Sequence, residues 1–171
     1  TDQLTKPTEI ERVHCFEWQT GRTIWSHSYE CKYEGFGYRA GPRASVLIDD
    51  GRAYSLGAAG HLVCLDAAKG TLLWRRDLKA EYRIRMPDWG IGAAPVVEGD
   101  LLIVQIGGEG EACLCAFDKR SGQPRWERPL SFRLDRSMGL RGAEGRGLIT
   151  KQIFRSFGVN EKGLLRFLLG F

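Results

Sequence analysis

Cys15-Phe16-Glu17-Trp18-Gln19-Thr20-Gly21-Arg22-Thr23-Ile24-Trp25 is the first of three copies of one eleven-residue phrase. The second copy is Cys64-Leu65-Asp66-Ala67-Ala68-Lys69-Gly70-Thr71-Leu72-Leu73-Trp74. The third is Ala116-Phe117-Asp118-Lys119-Arg120-Ser121-Gly122-Gln123-Pro124-Arg125-Trp126. Each has a small residue at position one, an acid at three, glycine at seven and tryptophan at eleven. The tryptophans lie 49 and then 52 residues apart (25 to 74, 74 to 126). A fixed period near fifty predicts a repeat architecture.

The residues between the phrases divide each unit into short β-rich runs. One unit reads Ala44–Ile48, Asp49–Gly51, Arg52–Leu56, Gly57–Gly60 and His61–Leu65, then the phrase. The next reads Ala94–Val97, Glu98–Asp100, Leu101–Ile106, Gly107–Gly110 and Ala112–Phe117. Asp-Gly and Gly-Gly between apolar runs are hairpin signals. No run has the length and 3.6-residue period of a helix. Four antiparallel strands in about fifty residues make a propeller blade. Within the phrase, the acid at three is expected to accept backbone N–H bonds in an Asx-type turn. Glycine at seven supplies a positive φ, and the tryptophan opens the outer strand and covers the neighbouring blade. These features predict blade-to-blade packing rather than a binding site.

The chain has 171 residues, 43% of them hydrophobic, and 22 glycines, which suits a turn-rich all-β protein. No apolar run reaches the ~18 residues of a membrane span. The net charge of +4 is unevenly placed. Residues 131–171 hold eight basic and three acidic residues, a net +5 that leaves −1 for residues 1–130. The near-neutral repeat region argues against nucleic acid as its partner.

The phrase resembles the tryptophan-docking motif of the quinoprotein-type propellers, the pyrroloquinoline quinone (PQQ) repeat proteins, which reads Ala-x-Asp-x-x-Thr-Gly-x-x-x-Trp. The first copy keeps Thr20-Gly21 but has Cys15 and Glu17. The second keeps Asp66 and Gly70 but has Cys64 and Lys69. The third keeps Ala116, Asp118 and Gly122, with Ser121 for threonine. Gly41–Val46 and Ala93–Asp100 look like first strands of such blades, so the resemblance covers roughly residues 11–130. It implies an all-β partial β-propeller of four-stranded antiparallel blades, about two and a half of them, with a non-repeat tail. It also implies one of two functional classes. Some members are dehydrogenases holding PQQ and calcium on the propeller axis; others are cofactor-free scaffolds, such as the lipoproteins that help assemble outer-membrane proteins.

The enzyme class commonly carries adjacent cysteines over the quinone, a tryptophan beneath it and an aspartate base near calcium. Here Cys113 and Cys115 are separated by Leu114. Trp18 and Trp89 are the only tryptophans outside the docking positions; Trp18 reads as a surface residue and Trp89 as loop packing, with ligand stacking as the alternative. No catalytic, cofactor-binding or metal residue is assigned, and no cofactor is expected unless the dehydrogenase reading holds. Five cysteines fit no zinc spacing. Cys15 and Cys64 stand where the third copy has Ala116, which predicts a small structural residue, and Cys31, in a loop, is the one candidate reactive thiol. His14, His27 and His61 are spaced as strand or surface residues. Gly107–Gly110 reads as a hairpin turn, because no helix pattern follows to form a phosphate loop.

The connections between blades carry the remaining signal. Residues 26–41 include Tyr29, Tyr33, Phe36, Tyr38 and Arg39, and residues 77–91 include Tyr82, Arg83, Arg85, Asp88 and Trp89. Both are expected to cross on one face of the disc. Such aromatics either cover blade edges, the favoured reading, or form a protein-interaction surface. Propellers have about four to eight blades, so this chain is expected not to close a ring alone, and its bare blade faces invite self-association. Repeat pattern, composition and charge all change after Leu130. Residues 1–130 therefore read as propeller repeats and 131–171 as a basic tail, either disordered or weakly helical, or the product of out-of-frame translation. The functional expectation is an extracytoplasmic, non-catalytic scaffold with a protein partner. A fragment of a PQQ- and calcium-dependent alcohol or sugar dehydrogenase is the alternative.

Overall fold

The computed structural model describes residues 1–37, 41–107 and 114–128. Tyr38, Arg39, Gly108–Gly110, Cys113 and the 131–171 tail, with all its readings, lie outside the described residues. Three antiparallel sheets follow one another along the chain. The first contains β1 (Asp2–Leu4), β2 (Ile10–Phe16) and β3 (Thr23–Glu30). The second contains β4 (Leu47–Asp49), β5 (Arg52–Leu56), β6 (His61–Asp66) and β7 (Leu72–Asp77). A one-turn helix, α1 (Leu78–Glu81), follows it. The third sheet contains β8 (Val96–Glu98), β9 (Leu101–Gln105), β10 (Leu114–Asp118) and β11 (Pro124–Arg128). Each sheet is a simple meander, the order of a propeller blade, and the chain is a partial β-propeller.

Two details go beyond the sequence expectation. β1 pairs with β2, so the first blade supplies three strands rather than its outer half. α1 forms where Asp77 caps it, its carboxylate accepting from the Ala80 N–H at 3.1 Å. One turn has no periodicity to read, and only that cap marks it.

The middle blade explains why its strands read as nearly continuous apolar runs. Successive side chains point to opposite faces, and both faces are covered. Tyr54, Leu56, Leu62 and Cys64 pack toward the third blade against Leu102, Val104, Cys115 and Phe117. Ala53, Val63 and Leu65 pack toward the first blade against Val13, with Trp25 and Tyr29 at the margin. Burying one such leucine or valine contributes about 1.5–3 kcal/mol relative to exposure. The core is therefore a pair of inter-blade seams. A further cluster of Cys31, Tyr33, Phe36, Ala58 and Ala59 sits under the first blade crossing.

Each phrase also carries a register shift between its first two residues: Cys15/Phe16, Cys64/Leu65 and Ala116/Phe117. A bulge there bends the strand at its entry to the turn. Because it recurs in all three copies, it belongs to the repeat.

Candidate functional site

The phrases form the seams between blades. Asp66 accepts the N–H groups of Ala68 and Lys69, both at 2.9 Å, and Asp118 accepts those of Arg120 and Ser121. Glu17 has one more methylene and takes the Thr20 hydroxyl instead, at 2.6 Å. Arg125 and these turn donors hold the Asp118 carboxyl well below the usual carboxylate range. Gly70 (φ +70°) and Gly122 (φ +71°) are left-handed, and each lies under a tryptophan of the preceding blade. A Cβ on Gly70 would sit 2.5 Å from the Trp25 ring, and one on Gly122 would sit 2.8 Å from the Trp74 ring. Trp25 donates its Nε1–H to Ala67 O at 3.0 Å, and Trp74 donates to Lys119 O at 3.2 Å. The Arg76 guanidinium braces the second seam, donating to Gly122 O at 2.9 Å and lying over the Phe117 ring. Trp25, Trp74, the glycines beneath them and Arg76 are thus engaged in holding blades together.

The two blade crossings lie on one face, as alternating hairpins require. They touch there, with the Gly37 N–H donating to Asp88 O at 2.9 Å. Beneath the first crossing lies Glu11, fully buried on β2. It accepts from the Tyr29 and Tyr33 hydroxyls and from the Ala58 N–H, joining the first blade, the crossing and the β5–β6 turn. Gly57 leaves room for this carboxylate, since a Cβ there would collide with Glu11 and the Tyr29 hydroxyl. Burial, with Glu11 beside them, raises both tyrosine pKa values. Tyr29 is the last inward residue of β3 and not a loop residue. Tyr33 and Phe36 are buried, so the edge-covering reading describes them.

The second crossing differs. Leu78, Ile84 and Ile91 anchor it in the core. Its tip is the turn Pro87-Asp88-Trp89-Gly90, closed by the Gly90 N–H on Pro87 O at 2.8 Å. Gly90 (φ +70°) is wedged against Ala58, where a Cβ would approach the Ala58 carbonyl oxygen to 2.7 Å. Ile91 N–H donates to Ala58 O at 2.8 Å. On this pinned turn Trp89 is 66% exposed, with Arg83, Arg85 and Asp88 also exposed. Loop packing, the favoured sequence reading of Trp89, is therefore corrected: the backbone packs and the indole does not.

Other candidates resolve as follows. Cys31 is buried, and burial together with Glu11 raises its thiol pKa, so it is not a reactive cysteine. Cys64 is buried, with its thiol pKa raised by burial, and Cys15 is half-buried. Trp18 is 88% exposed, in the turn at the far end of its hairpin from the crossings. His14 has a carboxylate partner, Asp2, at 3.0 Å, which β1 brings beside it. His27 is partly buried, which with Arg75 lowers its pKa. Among the described residues, no three His, Cys, Asp or Glu side chains are grouped to hold a metal. Cys115 lies deep in a seam, and Trp18 and Trp89 belong to different turns.

A family model described as outer membrane protein assembly factor BamB matches residues 9–146. No curated protein matches significantly. Among solved structures, a quinohemoprotein alcohol dehydrogenase from Comamonas testosteroni is similar, at 26% identity and TM-score 0.51 over 67% of this chain and 18% of that one. Quinohemoprotein alcohol dehydrogenase ADHIIG from Pseudomonas putida HK5 matches at 23% identity and TM-score 0.50, over 75% and 19%. BamB from Moraxella catarrhalis matches at 18% identity and TM-score 0.47, over 68% and 32%. The chain thus spans at most about a third of each of these structures. With its three phrases, its meander blades and a family match over most of its length, the chain belongs to the PQQ-like propeller repeat family described as outer membrane protein assembly factor BamB.

Proposed function

We propose that the chain is a non-catalytic propeller scaffold that presents its crossing face, centred on Trp89, to a protein partner in an extracytoplasmic compartment. The observation that carries this reading is an exposed indole on a backbone pinned at three points: Gly37–Asp88, Pro87–Gly90 and Ala58–Ile91. A rigid aromatic loses little conformational entropy when it is covered, and Trp and Arg dominate interface hot spots. Arg83 and Arg85, exposed on the same crossing, precede it in sequence. The family description, an assembly factor for outer membrane proteins, supports both a protein partner and the extracytoplasmic location. No helix among the described residues is long and apolar enough to cross a membrane. The test compares Trp89→Ala with Trp18→Ala in cross-linked partner capture. Loss of capture with Trp89→Ala alone supports the reading; equal capture by both variants, with Trp89→Ala less stable, removes it.

The alternative, a piece of a PQQ- and calcium-dependent dehydrogenase, draws on the 26% identity to the Comamonas alcohol dehydrogenase. A calcium-dependent spectral shift on titrating PQQ into the chain supports that alternative over the scaffold. No shift at quinone concentrations well above the protein's counts against it.

A further inference from the structure

The Trp89 turn is held by one backbone hydrogen bond on each side of the indole. One residue before it, Asp88 O accepts the Gly37 N–H at 2.9 Å; two residues after it, the Ile91 N–H donates to Ala58 O at 2.8 Å. Neither outside group belongs to the second crossing. Gly37 lies on the first crossing, and Ala58 lies in the β5–β6 turn. Whatever holds Gly37 and Ala58 therefore sets where the Trp89 turn stands.

Both groups lead back to Glu11. Its Oε1 accepts the Ala58 N–H at 3.2 Å and also the Tyr33 hydroxyl. Ala58 thus meets Glu11 through its N–H and Ile91 through its carbonyl. On the other side, Phe36 precedes Gly37 and meets the Tyr33 ring, with centroids 4.9 Å apart. Tyr33, Phe36 and Ala58 share one buried cluster, and Met86 of the second crossing packs against it. The second carboxylate oxygen, Oε2, accepts the Tyr29 hydroxyl, which lies on β3 and on neither route. Glu11 is also foreign to the repeat: the equivalent positions are Gly60 and Ala112. A buried acid is costly unless its oxygens are hydrogen-bonded, and three donors meet these. An apolar side chain fills a seam without that cost, as Val63 and Leu65 do. What the carboxylate adds is a fixed direction for Tyr33 and Ala58.

We infer that Glu11 is the positioning residue of the docking turn. Through Oε1 it fixes Tyr33 and Ala58, and through them the two backbone hydrogen bonds that bracket Trp89. A partner then meets an indole whose place is already set, which lowers the ordering cost of docking. The assignment rests on the reading of Trp89 as the docking residue; amide exchange, which needs no partner, tests it apart from that reading.

The experiment follows amide hydrogen exchange of the full chain by NMR. The Gly37 and Ile91 amides are compared with that of Gly122, which closes a turn of the third blade. Glu11→Met removes both acceptor oxygens at similar side-chain length. It is expected to speed exchange at Gly37 and Ile91 by about tenfold or more relative to Gly122. Should that variant not fold, Tyr33→Phe and Tyr29→Phe each delete one hydroxyl from the same carboxylate. Tyr33→Phe is expected to speed exchange at Gly37 relative to Gly122, and Tyr29→Phe to leave that ratio as in wild type. A carboxylate with a purely structural role moves all three amides together, or responds alike to the two tyrosine variants; either result overturns the inference. The second readout is the yield of protein adduct from a crosslinking residue at position 89. Glu11→Met, or Tyr33→Phe in its place, is expected to lower that yield by about fivefold or more. Faster exchange with an unchanged yield overturns the inference, because the turn's position then has no bearing on docking. No adduct even without the substitution sinks the Trp89 reading instead, and the exchange ratios alone then decide whether Glu11 positions the turn.

Discussion

Trp74 and Trp89 stand fifteen residues apart in sequence and have opposite surroundings. Trp74 lies over Gly122, donates to Lys119 O and meets Tyr54 ring to ring. Trp89 is held by a backbone fixed on both sides and leaves two-thirds of its surface in solvent. One belongs to the repeat phrase and the other to a crossing that no other unit copies. The difference separates residues that recur in every copy for the repeat's own packing from residues that the repeat leaves unexplained. Function is to be sought among the latter.

The largest effect expected is on the seam. Trp74→Ala removes a large ring and one of the two donors to Lys119 O, leaving the Tyr54 hydroxyl, and should cost about 3–5 kcal/mol in urea unfolding at 25 °C. A loss under 1 kcal/mol would break the comparison from the Trp74 side. Glu11→Gln tests the buried anchor beneath the first crossing. An amide N–H₂ replaces one acceptor oxygen facing two tyrosine hydroxyls and the Ala58 N–H, so stability should fall by about 1–3 kcal/mol. Trp89→Ala should change stability by no more than about 0.5 kcal/mol, since its ring is mostly solvated. A larger loss would make Trp89 a packing residue after all.

The smallest effect is a pH dependence at the chain's first strand. Arg12, then His14, hold the Asp2 carboxyl at about 2, against an ordinary 3.8. A folded-state value below the unfolded one contributes stability above the unfolded value, and that contribution disappears as pH falls from about 4 to 2. The Asp2 side chain is nearly half exposed, so screening limits the contribution to a few tenths of a kcal/mol. Asp2→Asn should remove this acid-side slope, measured as unfolding midpoint against pH.

The fold was legible because the repeat states it three times. Acid, glycine and tryptophan at fixed positions named the turn, the left-handed residue and the seam before any coordinates. β1 was not legible: three residues carry no alternation, and its place follows from pairing with β2 and from Asp2 meeting Arg12 and His14. Tyr29 read as a loop residue because nothing local carries β3 past Trp25; pairing with β2 extends it to Glu30. Cys31 read as reactive for the same reason, since a loop position does not reveal that Glu11 and Tyr33 bury it. Glu11 itself had a signal. It stands two residues before Val13 on the inward face, at a position where the other copies have Gly60 and Ala112. An acid at an inward position that the repeat does not share marks a non-repeated role. The exposure of Trp89 had no such signal, because it depends on Gly90 packing against Ala58, a contact thirty-two residues away in sequence.

The central claim is that Trp89, and not the surface tryptophan at the other end of the blades, meets a partner. Site-specific photo-crosslinking tests it most directly, with the crosslinking residue placed at position 89 in one variant and at position 18 in another, in the native host compartment. The account predicts a discrete protein adduct at 89 that excess unlabelled chain competes away, and none at 18. No competed adduct at 89, or the same adduct at both positions, contradicts it.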